Sequence, residues 1–267
     1  MPLHLIQRGN NRSRIFVREA DRECFLDILL DASARTRCDI HAYVLMTNHV
    51  HLLATPSSPT AASRMMQLVG AKYARNFNRW EARTGTLFDG RFRGTVVDSE
   101  QYYLTCSRYI ELNPVRARLA AAPEGHRWSS FHCNALGEAD PVVTPHWLYL
   151  GLGRNAAETR AAYRALFADP QDAEELDALR VATHSGALLS RVREEMRLKL
   201  SARERAAHWR AAEKALTPVS SDPNQTKNCP PFRTLPGCTK RCAPCNPFRR
   251  IDLVEQQTQP TLGPPHA

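Results

Sequence analysis

Two histidines one residue apart, with an asparagine immediately before them, are the residues here best suited to chemistry. His49 and His51 lie in HAYVLMTNHVHLLATP, an apolar run from His41 to Pro56 broken once by Thr47-Asn48. Val, Leu and Tyr favour extended backbone and Thr-Asn favours a turn, so the run reads as two consecutive strands tightly joined. Side chains alternate along a strand, which puts His49, His51 and Leu53 on one side and Val50, Leu52 and Ala54 on the other. An imidazole pair in a nearly all-apolar strand is costly to bury unless something uses it. The pattern points to a metal site, and a catalytic metal needs at least one more protein ligand.

A second stretch, DSEQYYLTCSRYIELNPVR at 98–116, supplies candidates. Asp98-Ser99 opens a helix running to about Asn113, and Pro114 stops it nearby. Tyr102, Cys106, Tyr109 and Asn113 are spaced four, three and four apart, so they form one stripe. A Tyr109 hydroxyl and an Asn113 carbonyl on adjacent turns could converge on one phosphate, with Asn113 as the missing third ligand.

The elements that must position these residues follow from periodicity. Leu3–Gln7 reads as a strand ended by Arg8-Gly9-Asn10-Asn11, and Glu19–Arg35 as a helix. Cys38–Met46 and His49–Thr55 are the paired strands. Thr60 is expected to cap a helix to about Arg83, with Met66, Val69, Tyr73, Phe77 and Trp80 as its apolar stripe. A strand from about Phe92 to Val97 comes next. Strand, helix, strand, strand, helix, strand predicts an α+β, ferredoxin-like split βαβ antiparallel sheet with helices on one face. The Tyr109 helix is added to it, and a helical extension follows. The expected divisions are 1–133, 134–216 and a Pro- and Cys-rich tail at 217–267.

The formal net charge of the 267-residue chain is +9, which suits a polyanionic partner. Between Arg64 and Arg93, seven basic residues face two acidic ones. Tyr73, Phe77, Trp80, Phe88 and Phe92 interleave them. Charge for phosphates and rings for unstacked bases fit single-stranded nucleic acid. No stretch is apolar enough for a signal peptide or a membrane span, so a cytoplasmic protein is expected. Cys24, Cys38, Cys106 and Cys133 sit in regular segments, as reduced core cysteines do.

Six blocks, QRGNNR, AYVLMTNHVHLL, YARNFNRW, GTLFDGRFR, RYIELNPVRA and RWSSF, make the stretch from Leu3 to about Phe131 resemble the REP-associated tyrosine transposases. These are relatives of the single-tyrosine insertion-sequence transposases, within the class of endonucleases named for a His-hydrophobic-His motif. The resemblance implies a ferredoxin-like fold, His49 and His51 as the metal pair, Tyr109 as nucleophile and Asn113 as third ligand. It implies a divalent cofactor, Mg²⁺ or Mn²⁺, and cleavage and rejoining of single-stranded or hairpin DNA through a 5′-phosphotyrosine. Candidate DNA contacts are Arg8, Asn10, Arg64, Lys72, Arg75, Arg79, Arg91, Arg93 and Arg116. A monomer or a homodimer is compatible with all of this. The alternative is a domesticated binder of structured DNA or RNA that keeps the fold without cleaving.

Ten of the 18 prolines lie in 217–267, where apolar periodicity stops, so the tail reads as disordered. Cys229, Cys238, Cys242 and Cys245 could hold zinc, yet the first spacing is far wider than in the familiar modules. Truncation after Leu216 is therefore expected to leave DNA cleavage at the full-chain level. Stoichiometric zinc lost on truncation, together with DNA affinity, would contradict this.

Overall fold

The computed structural model describes residues 1–98, 100–168, 173–188, 190–199 and 207. The expected strands form close to their expected bounds: β1 (Leu3–Arg8), β2 (Cys38–Leu45), β3 (His49–Pro56) and β4 (Arg93–Val96). They make one four-stranded sheet in the order β2-β3-β1-β4. Every pairing is antiparallel. With α1 (Glu19–Thr36) and α2 (Ala61–Trp80) as the crossovers, this is the expected split βαβ sandwich.

Local chemistry explains most boundaries. Asp21 accepts from the backbone N–H groups of Val17 and Arg18, both at 2.8 Å, and so closes the N-terminus of α1. Thr60 precedes α2 as expected, but its side chain makes no capping hydrogen bond. Tyr109 lies on α3 (Glu100–Glu111), and Asn113 opens a separate turn, α4 (Asn113–Arg116). The break falls two residues earlier than the sequence suggested, and Pro114 occupies the first turn of α4, where its missing N–H costs nothing.

The two sides of the sheet carry different burdens. Leu5, Val50, Leu52 and Ala54 pack with α1 and α2, including Tyr73 and Phe77, in one core. Ala42, Val44 and Leu53 pack on the other side with Tyr103, Cys106, Tyr109 and Ile110 of α3. Ala178, Leu179 and Ala182 of α7 (Ala173–Ser185) join them there. A register shift between Ile40 and Ala42 inserts His41 as an extra residue in β2. One inserted residue changes which side each later side chain faces, so Tyr43 and Leu45 can share a core with Ile40.

The described residues belong to one compact unit. Two further short helices, α5 (Trp147–Leu150) and α6 (Ala156–Ala165), lie within it. The RWSSF block runs beside β2, where Leu45 N–H donates to the Trp128 carbonyl at 2.9 Å and Ser130 N–H to that of Tyr43 at 3.0 Å. The tail and its four cysteines lie outside the described residues. Cys24, Cys38, Cys106 and Cys133 are free thiols. Among the described residues, no helix is long and apolar enough to cross a membrane.

Glu111, fully buried at the end of α3, ties these parts together. Its carboxylate accepts from Ser130 Oγ at 2.6 Å, Asn134 Nδ2 at 3.0 Å and the Tyr163 hydroxyl of α6 at 2.8 Å. Burial pushes its pKa up to about 7, against the pull of those three donors. A raised carboxyl pKa stabilises the fold below its ordinary value and withdraws that stability as pH rises to about 7. Glu111→Gln should therefore gain on the wild type between pH 4.5 and 7, by up to about 3 kcal/mol in denaturant unfolding. A difference independent of pH would refute the ionisation argument.

Candidate metal and nucleophile site

The site is built on the β1–β3 pairing. Arg8 lies opposite His49, Ile6 opposite His51 and His4 opposite Leu53. These residues share one side of the sheet, so His4 becomes the diagonal neighbour of His51. The two rings stack, with centroids 5.2 Å apart, and His4 Nε2 lies 2.9 Å from His51 Nδ1. Nδ1 of His4 meets Thr183 Oγ1 of α7 at 3.3 Å. The rings of His49 and His51 are 5.0 Å apart.

His49 is oriented by its neighbour. Asn48 Nδ2 donates to the Arg12 carbonyl at 3.0 Å, which turns Asn48 Oδ1 toward His49 Nδ1 at 2.7 Å. An amide oxygen only accepts, so His49 Nδ1 carries the proton and Nε2 keeps its lone pair. Burial pushes the His4 pKa down to about 3. It pushes His49 down to about 4, with help from Arg8. Burial also holds His51 low, reinforced by His4, His49, Arg116 and Arg8. The rings are therefore uncharged near neutral pH, as metal-ligating imidazole must be.

Tyr109 closes the site from α3. It is 8 % exposed, and its ring lies 5.8 Å from that of His4 and 5.9 Å from that of His51. The Arg116 guanidinium stands 4.2 Å over the Tyr109 ring and also donates to the Tyr109 carbonyl. Burial raises the phenol pKa, while Arg116 and Arg180 oppose the rise, Arg180 partly through a side-chain hydrogen bond. Asn113 Nδ2 donates to the carbonyls of Tyr109 at 3.0 Å and Ile110 at 3.2 Å. That ties the amide nitrogen to the helix end. Among the described residues, no three His, Cys, Asp or Glu side chains form a metal-holding group.

The basic candidates divide. Arg8, Arg91 and Arg93 line a cavity of about 430 Å³ together with Arg12, Asp89 and Thr183. Arg12 was missed in the sequence, although it belongs to the same QRGNNR turn. Asn10 is engaged locally: its N–H donates to the Leu87 carbonyl at 2.9 Å, and Nδ2 reaches Thr86 Oγ1 at 3.4 Å. Arg64, Lys72, Arg75 and Arg79 are exposed on α2, which packs against the other side of the sheet. Lys72 there pairs with Asp31 at 3.5 Å. The interleaved rings fare differently from the expectation: Tyr73 and Phe77 are buried at 0 % and 3 % exposure and cannot stack on bases. Phe88 and Phe92 are half-buried beside Arg91 and Gln7, around a second cavity of about 840 Å³.

Comparison with known proteins gives one family match: the IS200-like transposase model matches residues 1–113. No curated protein matches the chain. Among solved structures, a REP-associated tyrosine transposase bound to a REP hairpin aligns at 17 % identity and a TM-score of 0.43. That alignment covers 54 % of this chain and 85 % of the other. A protein described as a transposase from Deinococcus radiodurans aligns at 22 % identity and a TM-score of 0.32, covering 42 % and 88 %. At these identities and scores, neither alignment assigns a role to any residue here.

Histidine titration in metal-free protein provides a direct check on the buried site. A group whose folded pKa is depressed adds stability above its ordinary value, and that stability is lost as pH falls. The His49 ring should stay neutral until about pH 4 in an NMR titration. A midpoint near the ordinary 6.5 would mean that water reaches the ring freely.

Proposed function

We propose that the chain is a metal-dependent, single-tyrosine DNA endonuclease and strand-transfer enzyme, a reading supported by the match of the IS200-like transposase model to residues 1–113. Its substrate would be single-stranded DNA beside a hairpin. The observation that carries this reading is the Tyr109 ring packed against His4 and His51, with two guanidiniums bearing on it.

Mg²⁺ or Mn²⁺ held by His49, His51 and Asn113 would polarise the scissile phosphate and screen its charge. The chain's own groups do the rest. Tyr109 Oη bonds to phosphorus as the P–O3′ bond breaks, leaving a 5′-phosphotyrosine. The phenolic proton ends on the released 3′-oxygen. Arg116 and Arg180 favour the phenolate and offset the burial that disfavours it. Arg8, Arg12, Arg91 and Arg93 take flanking phosphates, and Phe88 with Phe92 leaves room for an unstacked base. The phosphodiester energy is retained in the tyrosyl ester, so rejoining needs no ATP. The hairpin rests on the resemblance of the six sequence blocks.

A gel assay for covalent protein–DNA adduct tests the nucleophile. Tyr109→Phe should abolish adduct and keep DNA affinity within a few-fold, because one hydroxyl adds little to phosphate binding. Adduct persisting in that variant would remove Tyr109 from the role, and adduct absent from the wild type would favour a binder. The DNA path is tested separately. Replacing Arg12 and Arg91 together with Ala should reduce the salt slope of single-strand binding by about 1.4. Replacing Arg75 and Arg79 should change it far less, and the opposite ranking would move the DNA to α2.

A further inference from the structure

We infer that His4 and Thr183 set the tautomer of His51, through a one-way hydrogen-bond chain that leaves Nε2 as the His51 nitrogen with a lone pair for a ligand bond. The inference deepens the metal reading above and rests on it for its purpose, though not for its direction of proton donation.

The direction starts at a backbone carbonyl. Leu179 O can only accept, and the Thr183 hydroxyl donates to it at 2.6 Å. With that proton committed, Thr183 Oγ1 meets His4 Nδ1 at 3.3 Å as an acceptor. The proton of the neutral His4 ring therefore sits on Nδ1, and His4 Nε2 is left as an acceptor. Its partner 2.9 Å away, His51 Nδ1, must then donate. His51 has no second proton, so Nε2 is bare. The reverse order would set a His4 lone pair against a lone pair of Thr183, unless Thr183 abandoned its shorter bond to Leu179.

Asn48 imposes the same tautomer on His49 by a shorter route, from Arg12 O through the amide to Nδ1. Both histidines of the motif thus present Nε2. Two independent devices reach one outcome, and a pair that binds metal through Nε2 requires that outcome. Thr183 is 4 % exposed and His4 1 %, so water does not compete for the chain. Thr183 also lies well beyond residue 113, where the family match ends. The C-terminal part of this protein therefore takes part in the chemistry of its N-terminal motif as a positioning element.

The test uses the full chain labelled with ¹⁵N-histidine, without metal. Long-range ¹H–¹⁵N correlation reads which ring nitrogen carries each proton. His4, His49 and His51 should all appear as Nδ1–H tautomers. Thr183→Val removes the hydroxyl at nearly constant volume and should give mixed tautomers at His4 and His51 while His49 is unchanged. Mn²⁺ affinity should fall about tenfold or more, the usual loss on deleting such a partner, and Thr183→Ser should restore both readouts. A wild-type His51 protonated at Nε2 overturns the inference without any variant. So does Thr183→Val with unchanged tautomers, or with shifted tautomers and wild-type Mn²⁺ affinity. Wild-type protein with the stated tautomers that takes up no Mn²⁺ would instead overturn the metal reading, leaving the hydrogen-bond chain standing.

Discussion

The structure depends on a single requirement: a sheet face that buries imidazoles must pair every ring nitrogen or give it a use. An unpaired polar atom in an apolar interior costs on the order of 1–3 kcal/mol, a sizeable part of a domain's net stability. Antiparallel pairing of β1 with β3 brings His4 beside His51, and Asn48 precedes His49 in the turn. Once those bonds exist, the side of the sheet that carries them cannot also be a plain aliphatic floor. The aliphatic floor is the other side, under α1 and α2. α3 and α7 cover the histidine side and bring Tyr109, Arg180 and Thr183 with them.

Much of this was legible in the sequence, for physical reasons that can be named. The Thr47-Asn48 break and the period of two in β3 set the parity of His49, His51 and Leu53. Helical spacing carried Tyr109 toward the motif. Val50, Leu52 and Ala54 are the wholly apolar side of β3, so the crossover helices had to lie there and the basic face of α2 had to point away from the histidines. Helical periodicity shows which stripe of a helix is exposed, and says nothing about which face of the sheet the helix covers. His4 is a lone histidine in an apolar strand and gains meaning only across a strand pair. Thr183 and Arg180 are joined to the motif by packing alone, which no local pattern records.

The phenol shows two opposed forces at one atom. Burial of Tyr109 raises its pKa, while Arg116 and Arg180 lower it, and burial is the larger influence. The resting tyrosine is therefore a protonated, weak nucleophile. In the proposed reaction the phenolate would form only when a phosphate arrives together with its counter-charge. On that reading, burial and positive charge would together separate binding from reaction.

Glu111 carries a consequence for how the protein comes into being. It sits two residues before the end of the family match, and its three partners, Ser130, Asn134 and Tyr163, all follow that end. During synthesis, the ribosome delivers the sheet, both motif histidines and Tyr109 first. At that moment the nascent chain holds a carboxylate with none of its three donors and a His4–His51 pair not yet given its direction. Donors for Glu111 and the hydroxyl for His4 emerge only with later segments, Thr183 last of these. Residues 1–113, which the family model matches, thus lack these partners by themselves, and the half of the chain that carries His49, His51 and Tyr109 matures on the timetable of the other half.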